Sequence, residues 1–318
     1  MKRKYILLFA LILLLIALYF NFKEEEITGS IVINLPSEEN ESINVYFCPS
    51  ENCFLPFLEA VKNSEKAECA FFDINDFELI EILKEKKNTR IFVDRNEDAA
   101  NLSFVRIDNK EAYMHNKFCV LDDSIITGSL NPTITDINRN NNNYLIIKSK
   151  YLLENYANEF NEIWNYENIS RNVNYPSFYL NGNKIENYFC PEDLCEDKVY
   201  NILEKANESI YFMTYSFTSD RLGNLILNKN ITKKGVFDRS QAGSKYSEYW
   251  RLQNFSVLDA NKGLMHHKVF IIDEKIVVTG SYNPTMNGNE NNDENILIIH
   301  DEKIAEKYLD EFERVYNL

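Results

Sequence analysis

One stretch of this chain occurs twice, and a repeat of that kind commits the fold to two matched halves. Met265 to Asn283 reads MHHKVFIIDEKIVVTGSYN, and Met114 to Asn131 reads MHNKFCVLDDSIITGSLN, the same spacing with one residue fewer in the turn. The likeness runs well beyond these segments. Cys48 and Cys190 lie 142 apart, Asp94 and Asp238 144, His115 and His266 151, and Asn143 and Asn295 152. The halves are therefore duplicates separated by small insertions.

Within the repeat, residue type and parity carry the chemistry. His266 and Lys268 are two apart at the head of the apolar run Val269 to Ile272, so on a strand both point to one face. Asp273 lies seven positions beyond His266, at odd parity and about 23 Å along an extended strand, too far to complete a triad. It is read as the strand-end residue that opens the turn at Glu274 and Lys275. The run Ile276 to Thr279 then returns Gly280, Ser281 and Asn283 to the end where His266 sits. In the first half His115, Lys117, Asp122, Gly128, Ser129 and Asn131 repeat the pattern. An imidazole, an ammonium, a hydroxyl and an amide gathered in this way suit a phosphodiester. A neutral imidazole attacks phosphorus, lysine holds the non-bridging oxygens, and Ser and Asn donate to the charge that builds up. Such a set needs no metal and no other cofactor.

HxKxxxxD followed by GSxN, present twice, resembles the phospholipase D superfamily, and the likeness covers nearly all of the chain after about residue 40. The resemblance implies that the two motifs meet across a pseudo-twofold axis as one active site. It also implies a two-step route through a phosphohistidine, with Lys117 and Lys268 clamping the phosphate, supported by Ser129, Ser281, Asn131 and Asn283. Asp122, Asp273, Gly128 and Gly280 would be structural. Glu294 stands 28 after His266, where family members often carry a carboxylate that holds the ring nitrogen facing away from phosphorus; the aligned residue after His115 is Asn142. This predicts a Glu294–His266 pair, with His266 as nucleophile and His115 as acid. A solvated loop carboxylate is the alternative for Glu294.

The chain begins with Lys2, Arg3 and Lys4, then an uncharged run of sixteen residues, Tyr5 to Phe20, then Lys23 and three glutamates. Basic before and acidic after predicts an N-terminus inside and a body outside, through an uncleaved signal anchor or a cleaved signal peptide. Net charge is -15, and the four basic residues before Glu24 leave -19 for the rest. So acidic a body has no broad basic surface for duplex nucleic acid, and any such substrate needs a local groove. Each half carries one C-x4-C pair, Cys48/Cys53 and Cys190/Cys195, read as a short-loop disulfide, with free thiols or a shared four-thiolate zinc site as alternatives. Cys69 and Cys119, inside apolar strands, are read as buried thiols.

The expected fold is α/β: two homologous halves, each a mixed sheet flanked by helices, packed face to face around one shared site. Closing helices are expected from Leu152, Tyr156, Phe160 and Ile163 and their counterparts Ile304, Tyr308, Phe312 and Val315. The expected divisions are an anchor and stalk over 1–27, a first half over 28–171, a polar connection over 172–187 and a second half over 188–318. Two asymmetries bear on substrate. The second half has a longer segment, SQAGSKYSEYWRLQN, with Tyr246, Tyr249 and Trp250 beside Lys245 and Arg251, suited to stacking on bases, to a lipid interface or to packing on the sheet. In the first half FFDIND replaces the YSFTS stretch. The leading functional expectation is a membrane-anchored, outward-facing phosphodiesterase that hydrolyses single-stranded nucleic acid. A phospholipase D or phosphatidyl transferase on membrane lipid is the second, and a catalytically silent scaffold the third. No protein partner is inferable.

Overall fold

Strand-forming and helix-forming runs alternate along each half, and the computed structural model, which describes residues 35–94, 102–166 and 173–318, realises them in nearly the same order twice. The strands are β1 (Ser37–Glu38), β2 (Ile43–Cys48), β3 (Lys66–Phe71), β4 (Asn88–Val93), β5 (Val105–Ile107), β6 (Lys117–Val120), β7 (Ile125–Gly128) and β8 (Asn142–Ile147). They continue as β9 (Ser177–Leu180), β10 (Asn183–Cys190), β11 (Ser209–Thr214), β12 (Thr232–Phe237), β13 (Ser256–Leu258), β14 (Lys268–Ile272), β15 (Ile276–Gly280) and β16 (Glu294–His300). One sheet has the order β2-β8-β7-β6-β3-β4-β5, and the other β1-β9-β10-β16-β15-β14-β11-β12-β13. Seven strands of each sheet correspond one to one. This mixed α/β architecture of two halves agrees with the sequence expectation.

Period-two alternation divides each sheet between two cores. In the first sheet Ala70, Phe92, Phe118 and Leu145 face a central core, while Cys69, Phe71, Ile91 and Tyr144 face an outer core under the helices Leu55–Asn63 and Phe77–Glu85. In the second, Met213, Val236, Val269 and Leu297 face the same central core. The closing helices, Lys150–Asn165 and Glu302–Tyr316, place Leu152, Tyr156, Phe160 and Ile163 and Ile304, Tyr308, Phe312 and Val315 in it, all buried. The central core is thus shared between the halves.

The motif aspartates lie in the hairpin turns, at the far end of the strands from the histidines. Asp273 and Glu274 adopt left-handed backbone at the β14–β15 turn (φ 52° and 56°). The Asp273 carboxylate accepts the N–H groups of Asn207, Glu208 and Ser209, while Asp122 accepts those of Glu65 and Lys66. Each pins its hairpin to the start of the neighbouring strand. Gly128 and Gly280 have φ of 155° and 142°, and a Cβ would lie 2.4 Å from the Asn143 carbonyl or 2.3 Å from that of Asn295. Only glycine lets the two strands approach this closely.

Three expectations need revision or fall out of view. The segment 172–187 is no mere connection: β9 and most of β10 lie within it, joined at Asn181 and Gly182, both with positive φ (51° and 79°). Its alternation of Phe178, Leu180 and Ile185 with polar residues, across an Asn-Gly turn, is a hairpin pattern, and β1, from residues assigned to the first half, pairs with it. Secondly, Cys69 and Cys119 are joined in a disulfide, as are Cys48–Cys53 and Cys190–Cys195. Cys69 and Cys119 lie directly opposite one another on β3 and β6, with Cα atoms 4.0 Å apart. The corresponding cross-strand pair in the second half is Phe212 and Phe270. Finally, the anchor expected over residues 1–27 lies outside the described residues. Among the described residues no helix is long and apolar enough to cross a membrane.

Non-reducing peptide mapping should recover the Cys69–Cys119 cross-link. Replacing both residues with alanine should lower unfolding stability by about 2–4 kcal/mol, because the bridge closes a long loop.

Candidate active site

Each motif histidine is placed by main-chain contact with the opposite half. The His115 N–H donates to the Asp293 carbonyl, and the Asp293 N–H donates to Tyr113. In the mirrored arrangement the His266 N–H donates to Asn141, and the Asn141 N–H to Leu264. Met114 and Asp293 form a parallel bridge, as do Asn141 and Met265. The residue after each bridging position starts β16 or β8, so Glu294 comes beside His115 and Asn142 beside His266.

This crossing corrects the expected pairing of Glu294. Its Oε2 lies 2.8 Å from Nδ1 of His115, and Nδ1 of His266 faces Asn142 Oδ1 at 2.8 Å. Glu294 is fully buried, which also removes the solvated-loop alternative. The GSxN serines hold these orienting groups: Ser281 Oγ donates to Glu294 Oε2, and Ser129 Oγ donates to Asn142 Oδ1. Asn131 gives both its backbone N–H and its Nδ2 to the buried carboxylate of Asp136, while Asn283 Oδ1 accepts from the Ser216 N–H. Lys117 and Lys268 are buried, and each Nζ donates to the carbonyl of its own motif histidine, at 2.5 and 2.7 Å.

Aromatic rings complete the wall in both halves. Phe72 meets the His115 ring at 5.1 Å and Lys117 at 5.1 Å; Tyr215 meets the His266 ring at 5.2 Å and Lys268 at 5.3 Å. FFDIND and YSFTS therefore differ in sequence but present a ring at the same place. In the longer segment Tyr249 packs on Phe237, whereas Tyr246 and Trp250 stay exposed. Asp136 belongs to no motif, and only its Asx position after Thr133, at a helix start, marks it in the sequence.

Burial dominates the electrostatics. It lowers His115 to about 4, against the pull of Glu294 and with the help of Lys117 and Lys268, and it pushes His266 well below the usual histidine range, aided by Lys268, Lys117 and His115. Lys117 falls to about 8 and Lys268 lies well below an ordinary lysine, again chiefly through burial. With the two backbone bridges, these mutual influences place both motifs at one site. Both imidazoles are neutral at pH 7 before substrate brings its negative charge. Ring NMR should accordingly show no protonation of His115 between pH 8 and about 5. The unfolded chain takes up this proton near pH 6.5 and the folded chain near 4, so stability is full above 6.5 and falls as pH drops through that window.

Comparison with known proteins agrees with this geometry. The family model "Cardiolipin synthase, PLD-like domain" matches twice, over residues 63–164 and 199–316. A phospholipase D from Rickettsia prowazekii is 33% identical over 144 residues, 43% of this chain and 70% of that protein. The human mitochondrial cardiolipin hydrolase is 30% identical over 125 residues, 37% of this chain and 50% of that protein. Among solved structures, a phosphatidylserine synthase from Haemophilus influenzae matches with a TM-score of 0.63 over 86% of this chain and 85% of its own, at 12% identity, a likeness of fold. Two matched halves, two His-Lys motifs in one buried site and a family model that fits both make this chain a phosphodiesterase of the phospholipase D-like family.

Proposed function

We propose that this chain hydrolyses phospholipid at a membrane surface, with His115 as nucleophile and His266 as acid. The observation that carries the substrate class is the distribution of exposed apolar side chains. Twelve large ones are exposed among the described residues, and eight sit on segments adjoining the site: Leu55, Phe77, Tyr113, Ile134, Leu194, Tyr246, Trp250 and Met286. Their backbones are tied to it. Asp76, before Phe77, donates to the Pro132 carbonyl; Asn75 accepts from Ile134; and Pro284, near Met286, accepts from Thr218 and Ser219. Cys53, two before Leu55, and Cys195, next to Leu194, close the rings that follow β2 and β10, whose last residues Cys48 and Cys190 pair with Asn142 and Glu294. Exposed apolar side chains on segments tied to a polar site suit a lipid interface, and a body of net charge -19 leaves them to make that contact. The names of the Rickettsia and human relatives agree.

Chemically, His115 donates its Nδ1–H to Glu294, which leaves the lone pair on Nε2 for phosphorus. Glu294 then balances the positive charge on the phosphorylated ring. His266 takes up a second proton, on Nε2, as the negative charge of the substrate arrives, and passes it to the leaving oxygen as the bond from phosphorus to that oxygen breaks. In the second step His266 takes a proton from water, the oxygen attacks phosphorus, and the nitrogen–phosphorus bond breaks to give a phosphomonoester. The nucleophile is thus the reverse of the sequence expectation, because the carboxylate on which that rested backs His115. Outward placement behind an N-terminal anchor suits this reading, and three disulfides support an oxidising compartment.

A nuclease on single strands keeps one supporting observation, the exposed Tyr246 and Trp250 beside Lys245, with the Lys245 ammonium 4.7 Å from the Tyr246 ring. Arg251, in the same segment, is taken up by Asp220 and Glu248. The test uses the full-length protein with EDTA, offering phospholipid vesicles, single-stranded DNA, RNA and a soluble aryl phosphodiester. Vesicle lipid should be hydrolysed, with activity down by about 10²–10⁴-fold in His115→Ala and His266→Ala. Phe77→Ser/Met286→Ser should lose activity on vesicles and keep it on the aryl ester. Cleavage of strands with vesicles untouched would hand the site to nucleic acid.

A further inference from the structure

The halves keep one buried carboxylate for each histidine, yet hold it at different positions. At the spacing of 152 that relates Asn143 to Asn295, Asn142 corresponds to Glu294 and Asp136 to Gly288. Where the second half has its carboxylate on the strand, the first has an amide; where the second has glycine on the short helix Met286–Glu290, the first has an aspartate on Ile134–Asn138. The exchange is enforced sterically on one side. A Cβ at Gly288 would stand 2.3 Å from the Asn283 carbonyl. No carboxylate can be carried there without moving that loop.

Asp136 is 5% exposed, and its Oδ2 lies 3.7 Å from Nδ1 of His266. This is beyond hydrogen-bond range but close for an opposite charge. The hydrogen-bonding place on Nδ1 belongs to Asn142 Oδ1, and Asn142 is itself fixed, accepting from Ser129 Oγ and donating its Nδ2 to the Asp136 carbonyl. Asp136 Oδ2 accepts two N–H groups of Asn131, and its Oδ1 accepts from Asn140. We infer that Asp136 is a positioning residue, the counter-charge of protonated His266, acting across the Asn142 amide in place of the carboxylate that the second half keeps on its strand. The inference rests on the acid role proposed above for His266.

The need for such a charge follows from the surroundings. Lys268, Lys117, His115 and His267 all oppose a proton on His266, the Tyr215 ring covers one side, and Asn142 is neutral. A buried imidazolium without an anion is expensive, and Asp136 brings a carboxylate to within 3.7 Å of it.

The test is Asp136→Asn, nearly isosteric, assayed on the soluble aryl phosphodiester so that the outcome does not depend on lipid. The alkaline limb of kcat should move to lower pH by about one unit, with kcat at pH 7 down by about tenfold and KM little changed. Thermal unfolding serves as the fold control. Asn142→Asp should move the limb the other way, and Asp136→Asn/Asn142→Asp should restore it. Limbs unmoved in both single variants would overturn the inference, leaving Asp136 as a structural anchor for Asn131. Trapping the covalent adduct separates the two levels: phosphate on His266 sinks the assignment of roles, whereas phosphate on His115 with unmoved limbs sinks only the part given to Asp136.

Discussion

Two main-chain exchanges, His115 with Asp293 and His266 with Asn141, govern the arrangement of everything around them. A backbone bridge fixes direction and register together, so it determines which side chain stands next to each histidine. Beneath the bridges a matched polar network repeats the crossing. Asn295 Nδ2 donates to Asn116, and Thr127 and Tyr156 donate to Asn295. In the same way Asn143 meets His267, and Thr279 and Tyr308 donate to Asn143. Buried amides hydrogen-bonded in this way, as Asn295 and Asn143 are, tolerate little misalignment. They hold the two sheets in the one register that brings both motifs together.

Much of this was legible in the chain. The histidine–lysine parity, the hairpin behind it, the short cysteine rings and the paired closing helices all depend on near neighbours, and near neighbours are what spacing encodes. Glu294 was read as the partner of His266 because both belong to one repeat, but its contact lies across the interface, where sequence distance carries no information. Cys69 and Cys119 were missed for a related reason: their pairing depends on strand register, and only the fold brings β6 beside β3 rather than β4. Asp136 stayed silent because it replaces a motif position from six residues away. The connection concealed β9 and β10 because a half-buried hairpin strand is half polar, and Asn181 with Gly182 was the signal to read.

The site combines two opposing demands. Its histidines are buried deeply enough to lose charge, which favours an attacking imidazole but disfavours an acid. Substrate phosphate meets part of that demand when it arrives, and the carboxylates Glu294 and Asp136 meet the rest from behind. The acidic exterior plays no part in this local arrangement.

Because each histidine is backed by the other half, neither half holds a working set by itself. If a first half paired with its own copy, both imidazoles would face asparagine; if a second half did so, both would face glutamate with glycine behind. Symmetry would then make the two histidines equivalent. Only the joined chain can let its halves drift apart in sequence and turn that drift into a division of labour.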